Sequence, residues 1–163
     1  MKTIVVGIGN PILRDDGVGI HVAQELRNHI TDPTVTVDEA FTGGMNLLEM
    51  ILGYDKAILI DTIQTVKGRN GEVKRFHLDD IVRSCHSCNP HDVSLQEALV
   101  LAEKLGQNNI PKDIVVIGIV VKKMPLRFGE QLSTSIAAAV PQAVEMTLHE
   151  LEKTQPWRKK ELT

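Results

Sequence analysis

The sequence predicts a single three-layer α/β/α domain over residues 1–163, built on a mostly parallel twisted sheet. Three observations lead there. The aliphatic and β-branched runs at Thr3–Ile8, Lys56–Ile63 and Ile114–Val121 are continuous rather than alternating, as in strands covered on both faces. Segments with helical spacing separate them, giving the order β-α-β-α-β-(β)-α-β-α. The length of 163 residues is close to the ~150 expected of one domain. A chain of that size buries roughly 68–70% of its unfolded surface, so it needs neither a disulfide nor a metal to fold.

Each element has its own signal. Thr3–Ile8 is a short β-branched run with Gly7 and Gly9 flanking Ile8, a buried strand. From Gly17 to His29 the apolar residues Val18, Val22 and Leu26 recur every four positions, which predicts a helix. Thr34–Val37 alternates with period two and reads as a second strand. Thr42-Gly43-Gly44 breaks the pattern, and Met45–Leu52 resumes it as a short helix. In Lys56–Ile63 the run Ala-Ile-Leu-Ile ends in Asp61, as a central strand meeting a loop would. Lys67-Gly68-Arg69-Asn70-Gly71 is a turn, Glu72–His77 an edge strand and His86–Asn89 a loop. Ser94–Leu105 is the next helix, with Ser94 and Glu97 at capping-box spacing. Ile114–Val121 is a buried strand, and Ser133–Lys153 a long amphipathic helix that Pro141 should kink.

Composition narrows the function. Only 3% of the chain is aromatic, too little for base-stacking platforms, and the net charge of −3 offers no basic excess. Nucleic acid and anionic membranes are therefore excluded as expected partners, and the basic run Arg158-Lys159-Lys160 reads as a solvated tail. The apolar start is too short for a signal sequence, and no stretch approaches the ~20 apolar residues of a membrane span. The expected location is the cytoplasm. Cys85 and Cys88 form a Cys-x-x-Cys pair, which is no secreted disulfide scaffold.

Ligands of an open α/β sheet bind outside the carboxyl ends of the strands, and three polar features fall there. The first is Gly7-Ile8-Gly9-Asn10-Pro11, leading to Asp15-Asp16-Gly17. A dinucleotide loop would need a third glycine where Ile12 stands, and two carboxylates occupy the place of a pyrophosphate. No nucleotide is expected. Asp15 can cap the following helix and Asp16 can complement its dipole. The second feature is Asp61, costly to desolvate unless paired or metal-bound, with capping of the next loop as the plainer role. The third is Pro90-His91-Asp92, where a loop histidine is as readily surface decoration. Joined, two carboxylates and an imidazole form a plausible donor set for a divalent transition metal with open positions.

At this point the chain resembles the nickel–iron hydrogenase maturation endopeptidases. The resemblance rests on Gly7-Ile-Gly-Asn-Pro-Ile-Leu-Arg-Asp-Asp-Gly-Val-Gly19, Gly43-Gly44-Met45 with Leu47-Leu48, Ile60-Asp61, and Pro90-His91 with Ser94-Leu95. The first block is the specific one, and together they span essentially the whole chain. The resemblance implies a phosphorylase/hydrolase-like fold and an endopeptidase that removes the carboxy-terminal extension of a hydrogenase large-subunit precursor. It implies that nickel arrives with that substrate and that Asp16, Asp61 and His91 bind it and carry the catalysis. Some members have glutamate at the first position, one methylene longer than Asp16. A bound cation can polarise the scissile carbonyl, so no nucleophilic serine or cysteine is required, and neither Gly-x-Ser-x-Gly nor His-Glu-x-x-His occurs. The alternative is a nickel-sensing module or chaperone of the same fold without turnover. Cys85-His86-Ser87-Cys88 departs from the family pattern; free thiols, a zinc site and a redox pair are its three readings.

Overall fold

The parallel sheet follows from chain segments too apolar to leave either face in water. In the computed structural model, which describes residues 1–41, 44–65, 67–83, 90–123 and 127–154 (backbone alone for 81–83 and 90–93), those segments become strands. They are β1 (Thr3–Ile8), β2 (Val35–Ala40), β3 (Lys56–Ile63), β4 (Val73–His77) and β5 (Asp113–Val120). The helices are α1 (Val18–Arg27), α2 (Gly44–Ile51), α3 (Leu78–Arg83), α4 (Pro90–Lys104) and α5 (Thr134–Thr154), with a 3-10 turn at Arg14–Gly17. The strand order is β2-β1-β3-β5-β4. Four strands run parallel, and β4 is the antiparallel edge.

Strand alternation sorts the core into two layers. Val5, Ile58, Ile60, Val115 and Ile117 face α1 and α5, meeting Val22, Leu26, Ile136 and Ala143. Ile4, Val6, Ala57, Leu59 and Val116 face the other way, against Leu47 and Ile51 of α2 and Leu95 and Ala98 of α4. By the same alternation Asp61 shares the α2–α4 face with Leu59. The edge strand β2 is covered only in part, which is why it carries Asp38 and Glu39.

Several boundaries differ from expectation. The second strand is displaced from Thr34–Val37 to Val35–Ala40, because pairing with β1 in register from Thr3 to Ile8 extends it past its apolar part. The helix expected from Ser94 begins at Pro90, whose fixed φ and missing N–H suit a first turn. Ser94 is thus inside α4 and caps nothing there, and His91 is helical rather than a loop residue. α3 was not among the expected elements: Leu78, Ile81 and Val82 have helical spacing, but six residues are too few turns for the period to stand out. Pro141 stands inside α5 and removes one rung of its ladder without ending it.

Candidate active site at the carboxyl edge of the sheet

β1 is followed in sequence by β2 on one side and paired with β3 on the other, so the strand order reverses between β1 and β3. A crevice opens at the carboxyl edge of such a switch point. Close packing sets its shape. A Cβ on Gly7 would collide with the backbone of Gly19 and with Ala23, and one on Gly19 with the carbonyls of Ile8 and Ile60. α1 is thereby seated directly on β1 and β3. Gly9, at φ +154°, has no room for a side chain either, since its Cβ would strike the carbonyl of Asp16.

That contact folds the Asp16 loop back on the end of β1. The Asn10 backbone N–H donates to Asp16 Oδ2 at 2.9 Å, and the Asp16 N–H donates to the Leu13 carbonyl at 3.1 Å. Ile12 N–H donates to Asn10 Oδ1 at 3.2 Å, tightening the turn as an Asx residue does. Arg14 sits at φ +50°, a left-handed conformation that costs a non-glycine residue roughly 1–2 kcal/mol. It is held there from a distant segment: Arg14 N–H donates to the Gly129 carbonyl at 2.9 Å, and Gly129 N–H to the Ile12 carbonyl at 2.8 Å.

Asp15 and Asp16 divide sharply. Asp15 is buried and accepts from Ser133 N–H at 2.7 Å and Ser133 Oγ–H at 2.9 Å. It makes no cap on the 3-10 turn or α1; it fixes the residue that starts α5 instead. Asp16 is half-buried in the loop that follows β1. Asp61, in the last turnless stretch of β3, is 0% exposed and accepts from the Thr62 N–H at 2.7 Å. A carboxylate that deep persists only with hydrogen-bonded or charged neighbours.

His91 lies in the first turn of α4. The far end of that helix leads to the amino edge, where Asn109 accepts from Gly53 N–H at 2.8 Å and Lys112 N–H donates to Asp55 at 3.1 Å. Its first turn is accordingly at the carboxyl edge, on the face to which Asp61 belongs. The His91 and Asp92 side chains lie outside the described residues, as do Gly43, Cys85, His86 and Cys88. Among the described residues no three His, Cys, Asp or Glu side chains gather as a metal cluster. Sequence reasoning missed the roles of Asn10, Arg14, Gly129 and Ser133. The Asn10-Pro11 pair was a legible turn signal, whereas nothing local links residue 14 to residue 129.

The charged network of the molecule stands at the opposite edge. Glu150 Oε1 accepts from Lys56 Nζ at 2.7 Å, and Glu150 Oε2 accepts from Arg75 Nε at 2.6 Å. Lys56 Nζ also lies 3.2 Å from Asp113, and His77 Nδ1 lies 3.3 Å from the same carboxylate. The hydrogen bond from Arg75, aided by Lys56, holds the Glu150 carboxyl down at about 2 against its ordinary 4.5.

A family model described as hydrogenase maturation protease matches residues 20–150. The chain is 24% identical over 156 residues to the hydrogenase 2 maturation protease of Escherichia coli, covering 94% of this chain and 93% of that protein. Among solved structures it is similar to the hydrogenase maturating endopeptidase HybD from E. coli, with a TM-score of 0.78, 23% identity and 94% of each chain covered. It is also similar to the NiFe hydrogenase maturation protease HybD from Thermococcus kodakarensis, with a TM-score of 0.72 and 24% identity, over 91% of this chain and 98% of that one.

Proposed function

The chain belongs to the hydrogenase maturation protease family and is a hydrolase, and from that premise we propose that it removes the carboxy-terminal extension of a nickel–iron hydrogenase large-subunit precursor after nickel insertion. Asp16, Asp61 and His91 are the proposed ligands and catalytic groups, within a proposed unit of residues 1–163. The observation that supports this most is the pair of carboxylates at the β1/β3 switch point, one on the loop after β1 and one buried in β3. Each is held by a backbone N–H of its own neighbourhood, so their supports are independent. The matched family region begins at residue 20, so the assignment of Asp16 rests on the loop itself.

Two carboxylates and an imidazole suit a divalent transition metal with positions left for substrate. Nickel is the precursor's cargo, and these side chains meet it beside the cut, so an unloaded precursor is left intact. An ion bound there supplies Lewis-acid polarisation of the scissile carbonyl. Water provides the new C–O bond, the amide C–N bond breaks, and the departing amine takes the proton. Asn10 N–H fixes Asp16 toward the crevice, and the closed Gly9–Asp16 contact leaves its loop little freedom to swing away. Among the described residues no helix is long and apolar enough to cross a membrane, and the cytoplasm is the proposed compartment.

Incubation with a nickel-loaded precursor, followed by mass spectrometry of the extension, tests the reading. The wild-type chain should release the extension, and a nickel-free precursor should stay uncut. Asp16→Asn or Asp61→Asn should slow release by at least about 100-fold. Trimming that survives the double change Asp16→Ala with Asp61→Ala would sink the mechanism. Nickel-dependent association without cleavage would assign a sensing role instead.

A further inference from the structure

Around the Asp16 loop stand three large apolar side chains that the core does not use: Ile12, Phe41 and Phe128, which are 50%, 59% and 83% exposed. They are far apart in sequence, yet backbone bonds draw their segments to one place. Gly9 N–H donates to the Ala40 carbonyl at 3.0 Å, setting Phe41 beside Gly9 and Asn10. The paired bonds of Gly129 with Ile12 and Arg14 set Phe128 beside the same loop. The chain has only three phenylalanines, and two of them are left in water here. Exposed apolar area concentrated at a reaction edge marks a surface meant to be covered. The sequence from Val121 to Ser133 adds Lys122, Lys123 and Arg127 against Glu130 alone, a positive stretch in a chain of net charge −3. Lys123 and Arg127 are exposed.

We propose that Ile12, Phe41 and Phe128 form the docking rim for the polypeptide substrate. An extended segment next to the scissile bond seats apolar side chains on these three residues and turns carboxylates toward Lys123 and Arg127. The role rests on the protease reading above and adds to it the chemistry of the segment recognised. Apolar anchors supply affinity by leaving water, while the basic flank steers and orients. Since the rim lies beside the reacting groups and is not among them, its loss weakens capture rather than bond cleavage.

Steady-state trimming of the nickel-loaded precursor separates these effects. The double variant I12S/F128S should raise KM at least tenfold with kcat within about threefold of wild type, and F41S alone should move KM in the same direction. K123E/R127E should raise KM about fivefold at low salt, with the effect fading at 0.5 M NaCl. L105S removes an equally exposed leucine at the distant end of α4 and should change neither constant. Circular dichroism and thermal midpoints confirm that each variant is folded. KM unchanged in both double variants, or a fall in kcat alone, overturns the docking role while the wild type still trims. A wild-type chain that leaves the extension intact overturns the protease reading, and the rim's role with it.

Discussion

Two adjacent carboxylates, Asp15 and Asp16, experience opposite surroundings because a single 3-10 turn points them apart. Asp15 turns inward onto Ser133, and Asp16 faces back to Asn10 at the end of β1. The tie from Asp15 to the residue just before α5 reaches across 118 positions of sequence. Asp15→Ala would leave the half-buried Ser133 N–H and hydroxyl without their acceptor. Hydrogen bonds to a charged group contribute about 1.5–3 kcal/mol, less where water reaches the donor, so urea denaturation should register a loss of about 1–2 kcal/mol. Affinity for nickel, measured by titration on the same variant, should fall far less than it does in Asp16→Ala. Equal losses in the two variants would contradict the division of labour between the neighbours.

At the level of elements, the seating of α1 on β1 and β3 decides where the crevice lies. Gly7→Ala puts a methyl group against the Gly19 backbone and Ala23, neither of which can swing aside. Overpacking of that kind costs typically about 1–3 kcal/mol, and lifting α1 would drag the Asp16 loop from Asp61. Both the denaturation midpoint and the trimming rate should drop; a variant with native stability and native rate would refute the packing argument. The same elements explain what was readable beforehand. β1 and β3 were legible to the residue, because two-sided burial leaves an unbroken apolar run. β2 was shifted, since register with β1 carried it into Asp38 and Glu39, which no local preference would place in a strand. The start of α4 was missed because Ser94 offered a capping signal while Pro90, four residues earlier, was the true beginning. Among the proposed site residues, Asp16 and Asp61 stand near the ends of β1 and β3 as their place in the sequence implied, whereas the loop expected around His91 is the first turn of α4. The clasp from Gly129 and Ser133 was not, because tertiary hydrogen bonds leave no periodicity in a sequence.

Over the whole molecule, the ion-pair network and the proposed reaction site stand at opposite edges of one sheet. The amino edge holds Glu150 among Lys56, Arg75 and Lys153, with Asp113 joined through Lys56 and His77 through Asp113. A folded carboxyl at about 2 against an ordinary 4.5 binds its proton less readily than in the unfolded chain. Its contribution is therefore complete above about pH 4.5 and is lost as the pH falls toward 2. Denaturation curves between pH 6 and pH 3 should show wild type losing more stability than Glu150→Gln. At neutral pH the variant should already be weaker by on the order of 3–5 kcal/mol, the cost of breaking a buried pair. Parallel pH slopes for the two proteins would dismiss Glu150 as the responsible group. The clasp on the other edge bears on synthesis. Residues 12–16 leave the ribosome well before their partners Gly129 and Ser133, the latter 118 positions after Asp15 and just ahead of α5. A nascent chain can pair β1, β2 and β3 long before those partners are made, so the Asp16 loop is the part of the sheet's carboxyl edge that is locked late.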